Sequence, residues 1–334
     1  MRLNDFYSEP DVPPVRFSDT FLEENKKELL AHQKNFKIIY HPFFKTKRFF
    51  YLAQAHLRKK FFIGQVSAGL GDLVLYSHLP RLIKSHFRGY QVFVYESDMS
   101  RIVFANNPYI NGFTKDKRML WNKKGSGVDY GSGHLTQMKA RFLGIKKSLP
   151  RGELYINAEE KSFASVSKPI ATIHAHGKTI SSPISDEIWA AIVKELQRTH
   201  HVIQLKSTEE NIIEGVEQIV SGIRECIVQQ SVANIHVGID SGFTHTAAAL
   251  DVPTVVILDR IGVNRPLLQE GVHQLVLPQL RGRHLNFLYP QHTYLCVGPS
   301  TPKTPSLTRR TLRMAINGEI YPFRKQIIWN RDLH

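Results

Sequence analysis

The sequence predicts an α/β protein built from two doubly wound domains. Short apolar runs alternate with amphipathic segments in both halves, and a glycine turn joins the first such run to the helix after it. A chain of 334 residues also suits two domains of roughly 150 residues each.

The elements follow in order. Residues 1–60 read as a basic extension packing on the first domain. They carry a helix over 22–33 and a strand over 37–40, which His41 and Pro42 interrupt. Residues 61–66 form a short apolar strand, Ser67-Ala68-Gly69-Leu70-Gly71-Asp72 a glycine turn, 73–85 an amphipathic helix and 91–95 a second strand. Such a βαβ unit implies a parallel sheet with a site at the strand ends. A long loop over 106–134 precedes a helix over 135–143, and a linker runs from Ser148 to about Pro169. The second domain then reads as strands at 170–174, 202–205, 235–239 and 254–258. Helices are expected at 186–199, 209–220 and 244–250, with Ser185 as a cap. A basic helix is expected over 306–317. The expected divisions are 1–60, 61–160, 161–305 and 306–334.

Composition narrows the function. No apolar run approaches the ~18 residues that span a bilayer, and the start is polar and acidic, unlike a signal peptide. Cys226 and Cys296 are too few for a disulfide framework, so a cytoplasmic setting is expected. The net charge of +15 is unevenly spread: 34–60 holds eight basic residues and no acidic one. That surface suits an anionic partner or is simply well solvated. No zinc-finger, RNA-recognition or homeodomain pattern favours nucleic acid.

Two constellations carry chemistry. Glycines in the first turn let backbone and ligand approach closely, and Asp72 falls in the first turn of the following helix. There it either takes a proton from a sugar hydroxyl or caps its own helix. The second is Asp240-Ser241-Gly242-Phe243-Thr244-His245, followed by three alanines and Leu250. Helix-start N–H groups with the Ser241 and Thr244 hydroxyls suit a diphosphate. His245 is either a further donor or an ordinary helix residue. His174 and His176 lack partners for a metal site and read as locally packed. No Asp-x-Asp is present to hold a divalent ion.

Together these segments resemble the bacterial heptosyltransferases of glycosyltransferase family 9. Gly71-Asp72-Leu73-Val74-Leu75, Leu79-Pro80-Arg81-Leu82-Ile83-Lys84 and Asn107-Pro108-Tyr109-Ile110 are similar to its N-terminal signature. Asp240-Ser241-Gly242 with His245 and Ala247 to Leu250 is similar to its donor-binding one. The resemblance covers roughly 63–269. It implies two Rossmann-like domains facing a central cleft, the GT-B arrangement. It also implies inverting, metal-independent transfer of a sugar, foremost heptose from ADP-heptose, to a lipopolysaccharide-core or related glycan.

Asp72 then matches the base, Gly71 its turn, and Asp240, Ser241, Gly242, Thr244 and His245 the diphosphate site. Lys178 most nearly matches a family lysine that precedes a Pro and a Trp, here Pro183 and Trp189 at stretched spacing. Glu209 or Glu210 matches an acidic residue at the donor ribose. Asp259-Arg260-Ile261-Gly262 stands where the family has a Gly-Pro turn. The expected partners are a nucleotide-sugar donor, with no cofactor, and an anionic glycolipid or glycan acceptor. Peripheral contact with the inner face of the membrane is expected, and nucleic acid is not. The alternatives are a transferase of this fold using another nucleotide sugar or a protein acceptor, and a non-catalytic binder of anionic polymers or surfaces.

Overall fold

The computed structural model describes residues 42–66, 68–116, 135–145, 151–162, 169–176, 184–205, 212–219, 222–239, 241–258, 292–296 and 327–329. The elements expected at 22–33, 37–40 and 306–317 lie outside them, as do Ser67, Lys178, Pro183, Glu209, Glu210, Asp240 and the 259–262 turn. The chain divides into two compact units, with the break between Gly152 and Glu153.

The described part of unit 1 begins with α1 (Pro42–Arg58). Pro42 starts this helix, and the strand it was expected to interrupt lies outside the described residues. At the first helical position the missing N–H costs nothing and the fixed φ is already helical. The helix packs on β1 (Lys60–Ile63), where the buried Tyr51 hydroxyl donates to the Phe62 carbonyl at 2.9 Å. Arg48 donates through Nε to the Phe142 carbonyl at 2.7 Å, and through Nη2 to that of Arg141 at 3.3 Å. It thereby satisfies the end of α5 (Leu135–Phe142), where a cation also suits the helix dipole. Part of the basic stretch is therefore structural.

The strands β1, β2 (Gln91–Tyr95) and β3 (Gly112–Thr114) make a parallel sheet in that order. The expected single helix over 73–85 is two helices, α2 (Leu70–Val74) and α3 (Leu79–His86), and α4 (Asp98–Val103) follows β2. Pro80 explains the split. It cannot donate inside a continuous helix and its ring would strike the carbonyl of Tyr76, but it is tolerated in the first turn of α3. Gly152 leaves unit 1 pressed against this break. A Cβ there would lie 2.3 Å from the Val74 carbonyl oxygen and 2.7 Å from Ser77 Oγ.

The expected linker carries a short helix, α6 (Ala158–Ser162). Glu160 grips Arg224 in a two-pronged ion pair of 2.8 and 2.9 Å, and Arg224 also donates to the Tyr155 carbonyl at 2.7 Å.

Unit 2 alternates strands and helices: β4 (Ile170–His174), α7 (Asp186–Leu196), β5 (His201–Leu205), β6 (Glu217–Ile219), α8 (Ile223–Ser231), β7 (Ile235–Ile239), α9 (Gly242–Ala249) and β8 (Thr254–Leu258). Two further strands, β9 (Thr293–Cys296) and β10 (Ile327–Trp329), complete the sheet. Every pairing is parallel, in the order β10-β9-β8-β7-β4-β5-β6. Both central strands, β4 and β7, are buried along their whole length, as their apolar runs require. Against them pack Trp189, Ile188 and Ile192 of α7. The helix expected over 209–220 is not formed where residues are described. Gly215 adopts a left-handed φ of 74°, and Glu217–Ile219 pairs with β5 as an edge strand.

Candidate functional site

The sheet of unit 2 reverses its winding between β4 and β7. In parallel α/β sheets ligands bind at such a switch point, outside the carboxyl ends of the strands. Two side chains meet there. His174, the last residue of β4, places Nδ1 3.0 Å from the Oγ of Ser241, just beyond β7. The ring of Phe243 packs edge-on against the His174 ring at 4.7 Å and fixes it.

Ser241 is extended (φ −151°, ψ 177°) and caps α9 by position. The N–H groups of Gly242 and Phe243 open that helix and have no acceptor among the described residues, as the first turn of any helix requires of an anion site. Thr244 contributes less than its position suggests. Its N–H bonds the Ser241 carbonyl at 3.1 Å, and its hydroxyl hydrogen goes to the Ile239 carbonyl at 2.6 Å. His245 is buried, and burial pushes its imidazole down to about 4, so the ring is neutral. Behind the turn, Gln230 of α8 donates to the Phe243 carbonyl at 3.0 Å and accepts from the Thr246 hydroxyl, locking α9 in place.

A second imidazole lies deeper. His236 on β7 is fully buried, with Nδ1 3.1 Å from Thr172 Oγ1 on β4. Burial, with a smaller effect from His174, lowers it to about 3. Its ring leans over Gly238, where a Cβ would lie 2.7 Å from Nε2, so the glycine of β7 makes room for the histidine.

In unit 1, Gly64 turns the chain out of β1 with φ 107°, and Gly69 opens α2. Gly71 and Asp72 occupy the first turn. The Gly69 N–H donates to Asp72 Oδ2 at 3.3 Å, while the side chain stays exposed. Both expectations for Asp72 are thus compatible with its placement: one oxygen caps the helix and the other has no partner among the described residues. At the break between α2 and α3, Lys139 of α5 is buried with Nζ 3.7 Å from the Tyr76 ring centroid. His78 is buried beside it and pushed down to about 3 by that burial.

Neither His174 nor Lys139 was a candidate from local pattern. His174 was legible only as a histidine ending a strand. Trp189, matched above to a family tryptophan after Lys178, is only 1% exposed in the core and stands away from any ligand surface. Among the described residues no three His, Cys, Asp or Glu side chains gather as metal ligands.

Unit 2 is thus a doubly wound, all-parallel sheet with an open helix start at its switch point. Solved structures specify the fold further. The chain is similar to ADP-heptose lps heptosyltransferase II of E. coli, with TM-score 0.53 and 13% identity over 78% of this chain and 99% of that one. It is also similar to a family 9 glycosyl transferase from Veillonella parvula, with TM-score 0.53 and 10% identity over 82% and 94% of the two chains. A third is the iron-containing dodecameric glycosyltransferase TibC of enterotoxigenic E. coli, with TM-score 0.50 and 16% identity over 77% and 74%. No family model matches the sequence. No curated protein matches it either. The fold is that of the family 9 glycosyltransferases, in agreement with the resemblance of the motifs.

Proposed function

We propose that this chain is an inverting, metal-independent glycosyltransferase that moves a sugar, foremost heptose from ADP-heptose, to a lipopolysaccharide-core or related glycan. The observation that carries the reading is the turn of Ser241, Gly242 and Phe243 at the switch point of unit 2, with His174 aligning the serine. Unit 2 supplies the donor cradle and unit 1 the base. Asp72 accepts the proton as the acceptor O–H breaks. The oxygen bonds the anomeric carbon from the face opposite the diphosphate, and the carbon–oxygen bond to the diphosphate breaks with inversion. The departing charge is met by the Gly242 and Phe243 N–H groups and the Ser241 hydroxyl, donors fixed before the reaction begins. Lys178, Glu209 and Asp240 are proposed donor contacts by resemblance. The exposed Phe49, Phe50 and Leu57 of α1, among basic neighbours, favour contact with an anionic membrane surface.

A panel of nucleotide sugars tests the reading by thermal shift and by transfer to lipopolysaccharide-core acceptors. An ADP-linked heptose is expected to raise Tm and support turnover, which excess EDTA leaves intact. Stabilisation by another nucleotide sugar alone reassigns the donor. Activity lost to EDTA and restored by one metal ends the metal-free mechanism, a pointed test because TibC is described as iron-containing. No shift with any nucleotide sugar refutes the enzyme.

A further inference from the structure

Ser241 stands where a serine ordinarily caps its own helix, and it does not. At such a position the hydroxyl accepts from an N–H of the first turn, which closes one open donor. Ser97 does this for α4: with φ −153° and ψ 162° it accepts from the Ser100 N–H at 3.1 Å. Ser241 has nearly the same backbone, φ −151° and ψ 177°, but its side chain accepts nothing from α9. The Thr244 N–H, the equivalent donor, goes to the Ser241 carbonyl at 3.1 Å instead. Ser241 Oγ lies 3.0 Å from His174 Nδ1, its one side-chain partner among the described residues. The Phe243 ring, edge-on at 4.7 Å, keeps the imidazole in that place. His174 thus draws the serine off its helix, and the Gly242 and Phe243 N–H groups stay without an acceptor among the described residues.

A second, independent observation points to a polar occupant at this end of the sheet. His236 is fully buried, and its Nε2 has no hydrogen-bond partner among the described residues. Buried polar atoms are partnered in the great majority of cases. Its Nδ1 is held 3.1 Å from Thr172 Oγ1. Nε2 lies over Gly238, further along β7 and level with His174 in the sheet, where a Cβ would be 2.7 Å from it. The open nitrogen is therefore directed along β7 toward the Ser241 turn.

We infer that His174 is a positioning residue that sets the polarity of the Ser241 hydroxyl: Nδ1 carries a proton and donates to Oγ, so the serine hydrogen is left for a phosphate oxygen of the donor. The inference rests on the reading of this turn as the diphosphate site. A serine hydroxyl has a single hydrogen. Directed at Nδ1, it would leave only lone pairs facing the phosphate, and two acceptors repel. With the imidazole as donor, both bonds run the same way, from His174 through Ser241 to the anion, and each polarises the next. A hydrogen bond that ends on a charged oxygen is the strong kind.

The test is binding of ADP and of inorganic pyrophosphate by calorimetry, with Tm for each protein. The proteins are wild type, His174→Leu, His174→Asn, Ser241→Ala and the double variant of His174→Leu with Ser241→Ala. His174→Leu and Ser241→Ala should each weaken binding about 10-fold. In the double variant the loss should stay at roughly 10-fold, short of the roughly 100-fold of independent effects, because the histidine acts only through the serine. His174→Asn, whose amide N–H stands where the Nδ1–H does, should recover affinity to within about threefold of wild type. Unchanged binding in His174→Leu overturns the proposal, and so does a double-variant loss equal to the product of the single ones. Nitrogen NMR of the histidine rings reads the polarity without any ligand, with the His174 signals assigned by their absence in His174→Asn. A protonated Nδ1 is expected, and the measurement decides even if His174→Leu does not fold. If wild type binds neither probe nor any nucleotide sugar, the reading of the turn fails and this inference falls with it. An unprotonated Nδ1 in a chain that binds ADP overturns the inference alone.

Discussion

Asp72→Asn separates the two jobs that its position allows, because the structure bounds the smaller one. The carboxylate accepts a single hydrogen bond, from the Gly69 N–H at 3.3 Å, on an exposed side chain. A long, solvated bond of this kind is worth about 1 kcal/mol or less, and the asparagine amide oxygen can still accept it. The stability cost should therefore stay near 0.5 kcal/mol, a Tm change of about 2 °C or less. If the side chain were only a cap, turnover would follow stability and stay within a few-fold of wild type. As the base, Asp72 contributes about 10²–10⁴ in rate, which is roughly 3–5 kcal/mol of transition-state stabilisation. The amide cannot take the proton. The assay is steady-state transfer alongside donor binding by calorimetry, with Tm as the control for folding. Expected are an unchanged donor Kd, an unchanged Tm and a collapse of kcat by at least about 100-fold. A stable variant that binds donor and turns over within a few-fold of wild type would falsify the assignment and leave Asp72 as a cap.

Three further outcomes follow from the geometry. Gly242→Val brings a branched side chain to the two N–H groups proposed to hold the diphosphate, and should weaken donor binding at least about 10-fold while Tm moves little; unaltered affinity by calorimetry removes the turn from the site. Gly152→Ala places a methyl 2.3 Å from the Val74 carbonyl oxygen. Overpacking of this kind costs about 1–3 kcal/mol, to be read as a fall in the urea midpoint, and a variant as stable as wild type contradicts the packing. Acid should destabilise the fold below neutrality. His78, His236 and His245 are held at about 3, 3 and 4 by burial, so from about pH 6.5 downward the unfolded chain binds protons that the folded one refuses. Stability is full above pH 6.5 and falls by up to about 1.4 kcal/mol per pH unit per histidine until the folded values are reached. A Tm flat from pH 7 to 5 would refute those burials.

Much of unit 2 was readable from local pattern, because β4, β5, β7 and β8 are apolar runs bounded by turns, as buried parallel strands must be. What escaped was set by contacts distant in sequence. Glu and Val around 209–220 suit a helix, yet residues 217–219 pair as an edge strand because β5 offers them a partner. Residues 293–296 and 327–329 become strands only because β8 and then β9 present open edges. Pro80 was misread as lying inside one helix, since a proline that breaks one helix is welcome at the start of another. The site divides in the same way. Asp72 and Ser241 lie in short turns with their own signature. His174 is recognisable only once the sheet brings it to a serine 67 residues away.

The seat of Gly152 has a consequence for how this sequence can drift. The residue touches the backbone of Val74, and no exchange of a neighbouring side chain can move a carbonyl oxygen aside. Relatives that keep this path should therefore be barred from every other amino acid at the position, although it lies 80 residues from Asp72 in the chain. Ser77, whose hydroxyl bonds the same Val74 carbonyl at 2.7 Å, can vary only among small residues while the glycine stays. A substitution at position 152 would become tolerable only after the break between α2 and α3 had been rebuilt, and that rebuilding would shift the carboxylate two residues before Val74. Seen from the side of variation, an inconspicuous glycine at the exit of unit 1 is tied to the placement of Asp72 as tightly as the turn that carries that residue.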